Sequence, residues 1–133
     1  MEHIISATER CIDRLGCGPV DMLLLHRPDA FMNPEEVVCA FRKLSERGLV
    51  KRFVVSNMTP AQMSYLRSAG DFSVTANQIE INLIQSQILD GGFSGNVPAL
   101  DPPGVEGTLE YCGERGIKVQ AYSPLGKGYT VDS

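Results

Sequence analysis

The chain has 133 residues, of which 43% are hydrophobic and 21% are charged, and it contains 13 Gly, 8 Pro and 4 Cys. These proportions predict one globular domain, and they exclude a disordered tail, a collagen-like repeat and a disulfide-dense miniprotein. The formal net charge of −4 argues against nucleic acid as the main partner, because phosphate binding favours a basic surface.

Helix and strand patterns alternate from the start of the chain. Apolar residues recur at helical spacing from Ile4 to Leu15, which predicts a helix. The apolar run from Val20 to Leu25 predicts a buried strand, because a strand covered on both faces need not alternate apolar with polar residues. Asn33 and Pro34 are typical of a helix start, as cap and first helical residue, and Gly48 is expected to end that helix.

The same alternation continues to the end of the chain. Thr59 and Gln62 form a capping box, which predicts another helix start. A Gly- and Pro-rich loop is predicted at 90–107, longer than most connections in compact domains. The other predicted elements are strands at 53–55, 74–80 and 119–121 and a helix at about 109–115.

Strands that alternate with amphipathic helices predict a parallel sheet. Periodicity alone leaves two architectures open, a doubly wound open sheet and part of a (β/α)₈ barrel. Polar or aromatic residues follow or end each strand, and they are His26, Ser56–Asn57, Asn77–Gln78 and Tyr122–Ser123. Each has an ordinary explanation as a structural or turn residue. Four such strand ends in succession favour a shared site.

The cysteines show no CxxC pair and no zinc-finger spacing, so no metal site is predicted. We interpret them as reduced, partly buried thiols, with a disulfide pair as the alternative. The N-terminus lacks the pattern of a signal peptide, and the longest apolar run (22–25) is too short to span a bilayer. These features predict a cytoplasmic, soluble protein without a membrane partner.

Four motifs together resemble the aldo/keto reductase family: LLLHRPD (23–29), VSNMTP (55–60), NQIE (77–80) and AYSPLG (121–126). Their order is similar to that of the fourth to seventh strands of the family's barrel. The resemblance implies an α/β fold, a partial TIM (β/α)₈ barrel with about four parallel strands and intervening helices, running from about the third helix to the seventh strand. It also implies that residues 1–133 form a single partial domain, in which 90–107 is an inserted loop.

That loop has three interpretations. It lies where the related proteins have a shorter connection, so it can be a substrate-side loop, a harmless insertion or a gene-model error such as a retained intron. The last two are favoured, because a loop of this length without secondary structure is uncommon.

The resemblance implies roles for individual residues. His26 corresponds to the active-site histidine, which polarises the substrate carbonyl. Ser56, Asn57 and Gln78 are expected to bind the nicotinamide carboxamide, and Tyr122 is expected to stack on the nicotinamide ring. The residues implied at the cofactor's pyrophosphate are Ser123, Leu125 and Gly126. Lys127 is left open as either a phosphate contact or a solvated loop lysine.

The family reduces carbonyls with NAD(P)H, which implies NADP as cofactor, with NAD as the alternative, and a small-molecule carbonyl substrate. Its catalytic tetrad is Asp, Tyr, Lys and His, of which only His26 has a counterpart here. A (β/α)₈ barrel typically has about 250 residues. The resemblance therefore implies a fragment of a reductase that is inactive alone and self-associates through open sheet edges. The alternatives are a non-catalytic nucleotide- or partner-binding module and a truncated product without a function of its own.

Overall fold

A computed structural model gives the structure of the protein over residues 1–90 and 107–129. These residues contain one sheet, whose order is the chain order and whose neighbouring strands all pair in parallel. The strands are β1 (Val20–Leu25), β2 (Val50–Ser56), β3 (Val74–Glu80) and β4 (Lys118–Tyr122). The predicted parallel α/β sheet is therefore confirmed.

One helix precedes β1, and the other helices connect successive strands. They are α1 (Glu2–Leu15), α2 (Pro34–Glu46), α3 (Pro60–Ser68), α4 (Gln87–Asp90) and α5 (Thr108–Glu114), with a 3₁₀ turn at Gly126–Gly128. The pattern did not predict α4, because four residues are too few to show a helical period. Asp90, predicted as the first loop residue, ends α4 instead. Most of the predicted loop, residues 91–106, lies outside the described residues.

The two predicted helix starts are confirmed in atomic detail. The side-chain oxygen of Asn33 accepts hydrogen bonds from the N–H groups of Glu35 (3.0 Å) and Glu36 (3.3 Å). Thr59 and Gln62 form the reciprocal capping box, at 2.9 and 3.3 Å. These bonds satisfy backbone donors that a helix start would otherwise leave unpaired.

The hydrophobic core lies between the helices and one face of the sheet, which we call the core face. Phe41 of α2 stacks on Phe53 of β2 with ring centroids 4.4 Å apart, and Phe72 packs against both rings. Val55 and Leu44 are fully buried in the same cluster. This packing of helices on the sheet fixes the positions of the strand ends.

The opposite face of the sheet, which we call the far face, carries the alternate residues of each strand. Met22 and Leu24 of β1 pair in register with Arg52 and Val54 of β2, and none of them belongs to the core cluster. Met22 is 44% exposed. Side chains of successive strand residues point to opposite faces, so the core and far faces have different chemistry.

A bulge interrupts the pairing of β2 with β3. Phe53 pairs with Val74 and Val54 pairs with Ala76, so Thr75 is an extra residue on β3. The hydroxyl of Thr75 donates a 2.7 Å hydrogen bond to the carbonyl of Phe53. Val74 on one side of the bulge packs in the core cluster, and the side-chain alternation of β3 changes phase after Thr75.

Candidate functional site

The candidate site lies where the carboxyl ends of β2, β3 and β4 meet at one edge of the parallel sheet. There the structure brings together four residues singled out in the sequence, Ser56, Asn57, Gln78 and Tyr122, which we call the polar corner. In α/β folds with parallel strands, ligands bind at this edge, where the loops after the strands can reach them.

A continuous set of hydrogen bonds links the polar corner. The Ser56 hydroxyl donates to the main-chain carbonyl of Gln78 at 2.9 Å, and the Asn57 backbone N–H donates to the same oxygen at 2.9 Å. The Asn57 side-chain Nδ2 donates to Ser56 Oγ at 2.8 Å. The Tyr122 hydroxyl donates to Asn57 Oδ1 at 3.2 Å. Residues from three strands are thus joined by their polar atoms.

The residues that directly follow two of these strands have unusual backbone conformations. Asn57 has φ 55° and Ser123 has φ 49°, both in the left-handed region that non-glycine residues seldom adopt. Asn tolerates this region better than most residues, whereas Ser has no such advantage. The chain therefore turns directly after β2 and β4 at a conformational cost, and such outliers concentrate at functional sites.

Asn77 supports the site from the other side of the sheet. Its register partner is Val55, so it lies on the core face, where it is fully buried. Its Nδ2 donates to the carbonyl of Met58 at 2.8 Å, and its Oδ1 accepts from the Met58 N–H at 3.4 Å. Asn77 therefore holds the loop after β2, and of the pair 77–78 only Gln78 belongs to the polar corner.

The residues implied at the pyrophosphate lie at the 3₁₀ turn after β4. The Ser123 carbonyl accepts a 3.1 Å hydrogen bond from Asn82, while Gly126 is buried and Leu125 is 73% exposed. Lys127 forms a 3.4 Å ion pair with Glu80, at the end of β3. Asn82 and Glu80 were not predicted from the sequence as partners of this turn. The available signal was their position along the chain, since Glu80 ends β3 and Asn82 lies two residues beyond it.

His26 lies one residue beyond β1 and is exposed. Leu25 pairs with Val55, so His26 follows at the level of Ser56 on the neighbouring strand. Among residues 1–90 and 107–129, no hydrogen bond or ion pair engages the His26 ring. The structure thus places His26 at the same edge as the polar corner but not in contact with it.

The four cysteines are free thiols in the structure. The expectation that they are partly buried is wrong for Cys11 and Cys17, which are exposed because neither residue packs in the core cluster. Cys112 is buried, and that burial raises the pKa of its thiol. The described part of the chain contains no cluster of three or more metal-ligating side chains. Nor does any helix within 1–90 and 107–129 have the length and apolar character that a membrane crossing requires.

The chain matches the aldo/keto reductase family over residues 1–132. It belongs to the aldo/keto reductase family. Oxidoreductase YdhF of Escherichia coli is 35% identical over 127 residues, which are 96% of this chain and 38% of that protein. The 6-dehydroglucose reductase of Agrobacterium fabrum is 33% identical over 126 residues, 95% of this chain and 37% of that protein. The chain thus spans little more than a third of the length of these relatives.

Solved structures of the family have the same fold over the same region. The thermostable aldo-keto reductase Tm1743, solved with the inhibitor epalrestat, matches with a TM-score of 0.76 and 26% identity, covering 99% of this chain and 42% of that one. The aldo/keto reductase from Brucella melitensis matches with a TM-score of 0.69 and 27% identity, covering 94% of this chain and 42% of that one. The α/β fold expected from the sequence, a partial TIM barrel with four parallel strands, is confirmed.

Proposed function

We propose that this chain carries the active-site histidine and the nicotinamide-binding part of an NAD(P)H-dependent carbonyl reductase. The observation that supports the proposal is the polar corner, in which hydroxyl and amide groups from β2, β3 and β4 converge at the edge where parallel strands bind ligands. We propose NADP as the cofactor, with NAD as the alternative, and a small-molecule carbonyl compound as the substrate.

The polar corner suits a carboxamide chemically. A carboxamide offers one carbonyl oxygen as acceptor and two N–H donors, and side-chain amides complement both. The side-chain amide of Gln78 is partly buried and has no hydrogen-bond partner within the described residues. The carboxamide would pair with Gln78 and with the second N–H of Asn57, while Ser56 holds Asn57 in place.

Other residues would hold the rest of the cofactor. The ring of Tyr122 belongs to the same corner and offers an aromatic surface on which a nicotinamide can stack. Ser123, Leu125 and Gly126 form the turn after β4, and a glycine there allows the backbone to approach a pyrophosphate closely. When bound, the reduced cofactor supplies a hydride to the substrate carbonyl carbon.

His26 would act on the substrate rather than on the cofactor. Its ring is exposed at the level of Ser56, and no protein group among the described residues engages it. A ring N–H directed at the substrate carbonyl oxygen would stabilise the negative charge that develops there during reduction. Such a donor also fixes the orientation of the carbonyl, and hydride transfer depends on that alignment.

Titration of the chain with NADPH, followed by the intrinsic fluorescence of the cofactor, tests this proposal. We expect saturable binding that Gln78→Leu weakens about 3- to 10-fold, since a net hydrogen bond contributes roughly 0.5–1.5 kcal/mol. The matched control is Gln87→Leu, at an exposed residue of α4, which should leave the affinity unchanged. Absent binding, or equal affinities of both variants, would contradict the proposal.

We also propose that the isolated chain is inactive and self-associates. Strands β1 and β4 each lack a neighbour on one side within the described sheet, and Met22 exposes apolar surface on the far face. Unpaired strand edges and exposed apolar surface favour association with further copies. Sedimentation velocity tests the association and NADPH consumption with a reactive aldehyde tests the activity. A single monomeric species, or turnover at the rate of a full-length relative, would contradict the respective expectation.

A further inference from the structure

In each hydrogen bond of the polar corner, the donor and the acceptor can be assigned. The assignment starts from a main-chain carbonyl. A backbone carbonyl can only accept, so the Ser56 hydroxyl must donate its single hydrogen to the carbonyl of Gln78. Ser56 Oγ can then only accept in its 2.8 Å contact with Asn57. The donor in that contact must therefore be Nδ2 of Asn57.

The same reasoning extends to Tyr122. Since Nδ2 of Asn57 faces Ser56, the amide oxygen Oδ1 faces Tyr122, at 3.2 Å from its hydroxyl. An amide oxygen carries no hydrogen, so the Tyr122 hydroxyl must donate. Tyr122 and Asn57 are 65 residues apart, and the contact joins the end of β4 to the end of β2 across β3.

We infer that the Tyr122 hydroxyl is a positioning group that fixes the orientation of the Asn57 amide, so that Asn57 presents an N–H of Nδ2 to a bound ligand. One hydrogen of Nδ2 is used by Ser56, and the other has no acceptor among the described residues. Because Oδ1 is turned toward Tyr122, a ligand group that pairs with the remaining N–H of Nδ2 must be an acceptor. This inference rests on the proposed function for the nature of the ligand, a carboxamide whose carbonyl oxygen accepts from Asn57.

Loss of the Tyr122 hydroxyl should free the amide while leaving the aromatic ring in place. In Tyr122→Phe, Asn57 Oδ1 loses its donor, and the amide can rotate to offer either its oxygen or its nitrogen. Asn57 would then no longer favour ligand groups that accept a hydrogen bond over those that donate one. A residue that only filled space would not have this effect, because Phe and Tyr have nearly the same ring.

The first experiment needs no cofactor. NMR measures the solvent exchange of the Asn57 side-chain amide protons in the chain, in Tyr122→Phe and in the control Tyr111→Phe. The control removes another tyrosine hydroxyl, which contacts Ser64 at 3.0 Å on the helix side. We expect exchange to be several-fold faster in Tyr122→Phe alone. Equal exchange rates in all three proteins would overturn the inference.

The second experiment compares NADPH with its thionicotinamide analogue, whose sulfur is a weak acceptor. We expect the chain to bind NADPH about 3- to 10-fold more tightly than the analogue, and Tyr122→Phe to reduce that ratio toward one. An unchanged ratio in Tyr122→Phe would overturn the inference. Absent NADPH binding together with the expected exchange rates would instead refute the proposed function and support the locked amide.

A second variant covers the case in which Tyr122→Phe does not fold. Asn57→Asp keeps the shape of the side chain, and Asp tolerates the left-handed conformation of residue 57. A carboxylate has no N–H to donate, so this variant should also lose the preference for NADPH over the thio analogue. Retained preference in Asn57→Asp would overturn the inference.

Discussion

The two faces of the sheet differ in chemistry although the same strands build both. On the core face, Phe53 and Val55 pack against the helices and are buried. On the far face, β2 presents Arg52 near its start and Ser56 at its end, and Ser56 is a member of the polar corner. The alternation along a strand thus places the core residues on one face and the polar-corner residues on the other.

Two adjacent residues of β3 show this separation most directly. Asn77 and Gln78 both end in an amide, yet Asn77 is buried on the core face and Gln78 pairs with Ser56 on the far face. Asn77 forms its hydrogen bonds with the main chain of Met58, whereas the Gln78 side chain has no protein partner among the described residues. Two side chains with the same functional group therefore differ in surroundings: Asn77 is bonded to the main chain, and Gln78 has no such partner among the described residues.

The largest expected effect is on the core face. Phe41→Ala should lower the free energy of unfolding by about 3–5 kcal/mol, because it removes a buried ring that contacts Phe53 and Phe72. Met22→Ala, on the far face, should cost no more than about 0.5 kcal/mol, as expected of an exposed position. Urea denaturation measures both. Similar losses of unfolding free energy in the two variants would show that the core face does not contribute more to stability than the far face.

A smaller effect should separate the neighbouring amides. Asn77→Ala leaves the Met58 N–H and carbonyl without their side-chain partner, so we expect a loss of about 1–3 kcal/mol. Gln78→Ala keeps the main-chain carbonyl that Ser56 and Asn57 use, so the expected change is within about 0.5 kcal/mol. Thermal unfolding of both variants provides the measurement. A larger loss of stability in Gln78→Ala than in Asn77→Ala would contradict the roles assigned to the two residues.

The smallest effect concerns an ion pair at the amino ends of β1 and β2, where side chains are exposed. Lys51 lies 2.9 Å from Asp21, and its hydrogen bond and positive charge lower the pKa of Asp21 from 3.8. Because the pKa is lower in the folded state, the contribution to stability is present above pH 3.8 and is lost as the pH falls through the folded-state pKa.

We expect this contribution to be slight and to disappear in high salt, because both groups are exposed. Urea midpoints of the chain and of Lys51→Met, measured at neutral pH and at pH values below 3.8, provide the test. The two proteins should converge at acid pH. A difference that persists there, or that salt does not reduce, would contradict the assignment.

Local sequence patterns predicted most of the fold. Asn33 and the pair Thr59 and Gln62 marked helix starts because capping depends on residues within one helical turn. Apolar runs located the strands, but β2 was predicted too short because Lys51 and Arg52 are polar. Lys51 pairs with Asp21 on the neighbouring strand, and patterns within a few residues of Lys51 cannot predict a contact between strands.

The motifs indicated the candidate residues, but they did not predict the hydrogen bonds and ion pairs between them. Ser56 and the carbonyl of Gln78 are 22 residues apart, and their contact depends on the register between β2 and β3. The ion pair of Glu80 with Lys127 likewise depends on the turn after β4. The roles of His26 and of the cofactor-binding residues remain predictions, which the experiments above address.

The extra residue in β3 determines which of two amide side chains lies at the polar corner. Val74 before the bulge and Asn77 after it both lie on the core face, although their spacing would put them on opposite faces of a regular strand. If the same residues paired without the bulge, regular alternation would place Asn77 on the far face and Gln78 on the core face. Deletion of Thr75 would instead leave Val74 and Asn77 two residues apart and on the same face, so Gln78 would keep its orientation toward the polar corner.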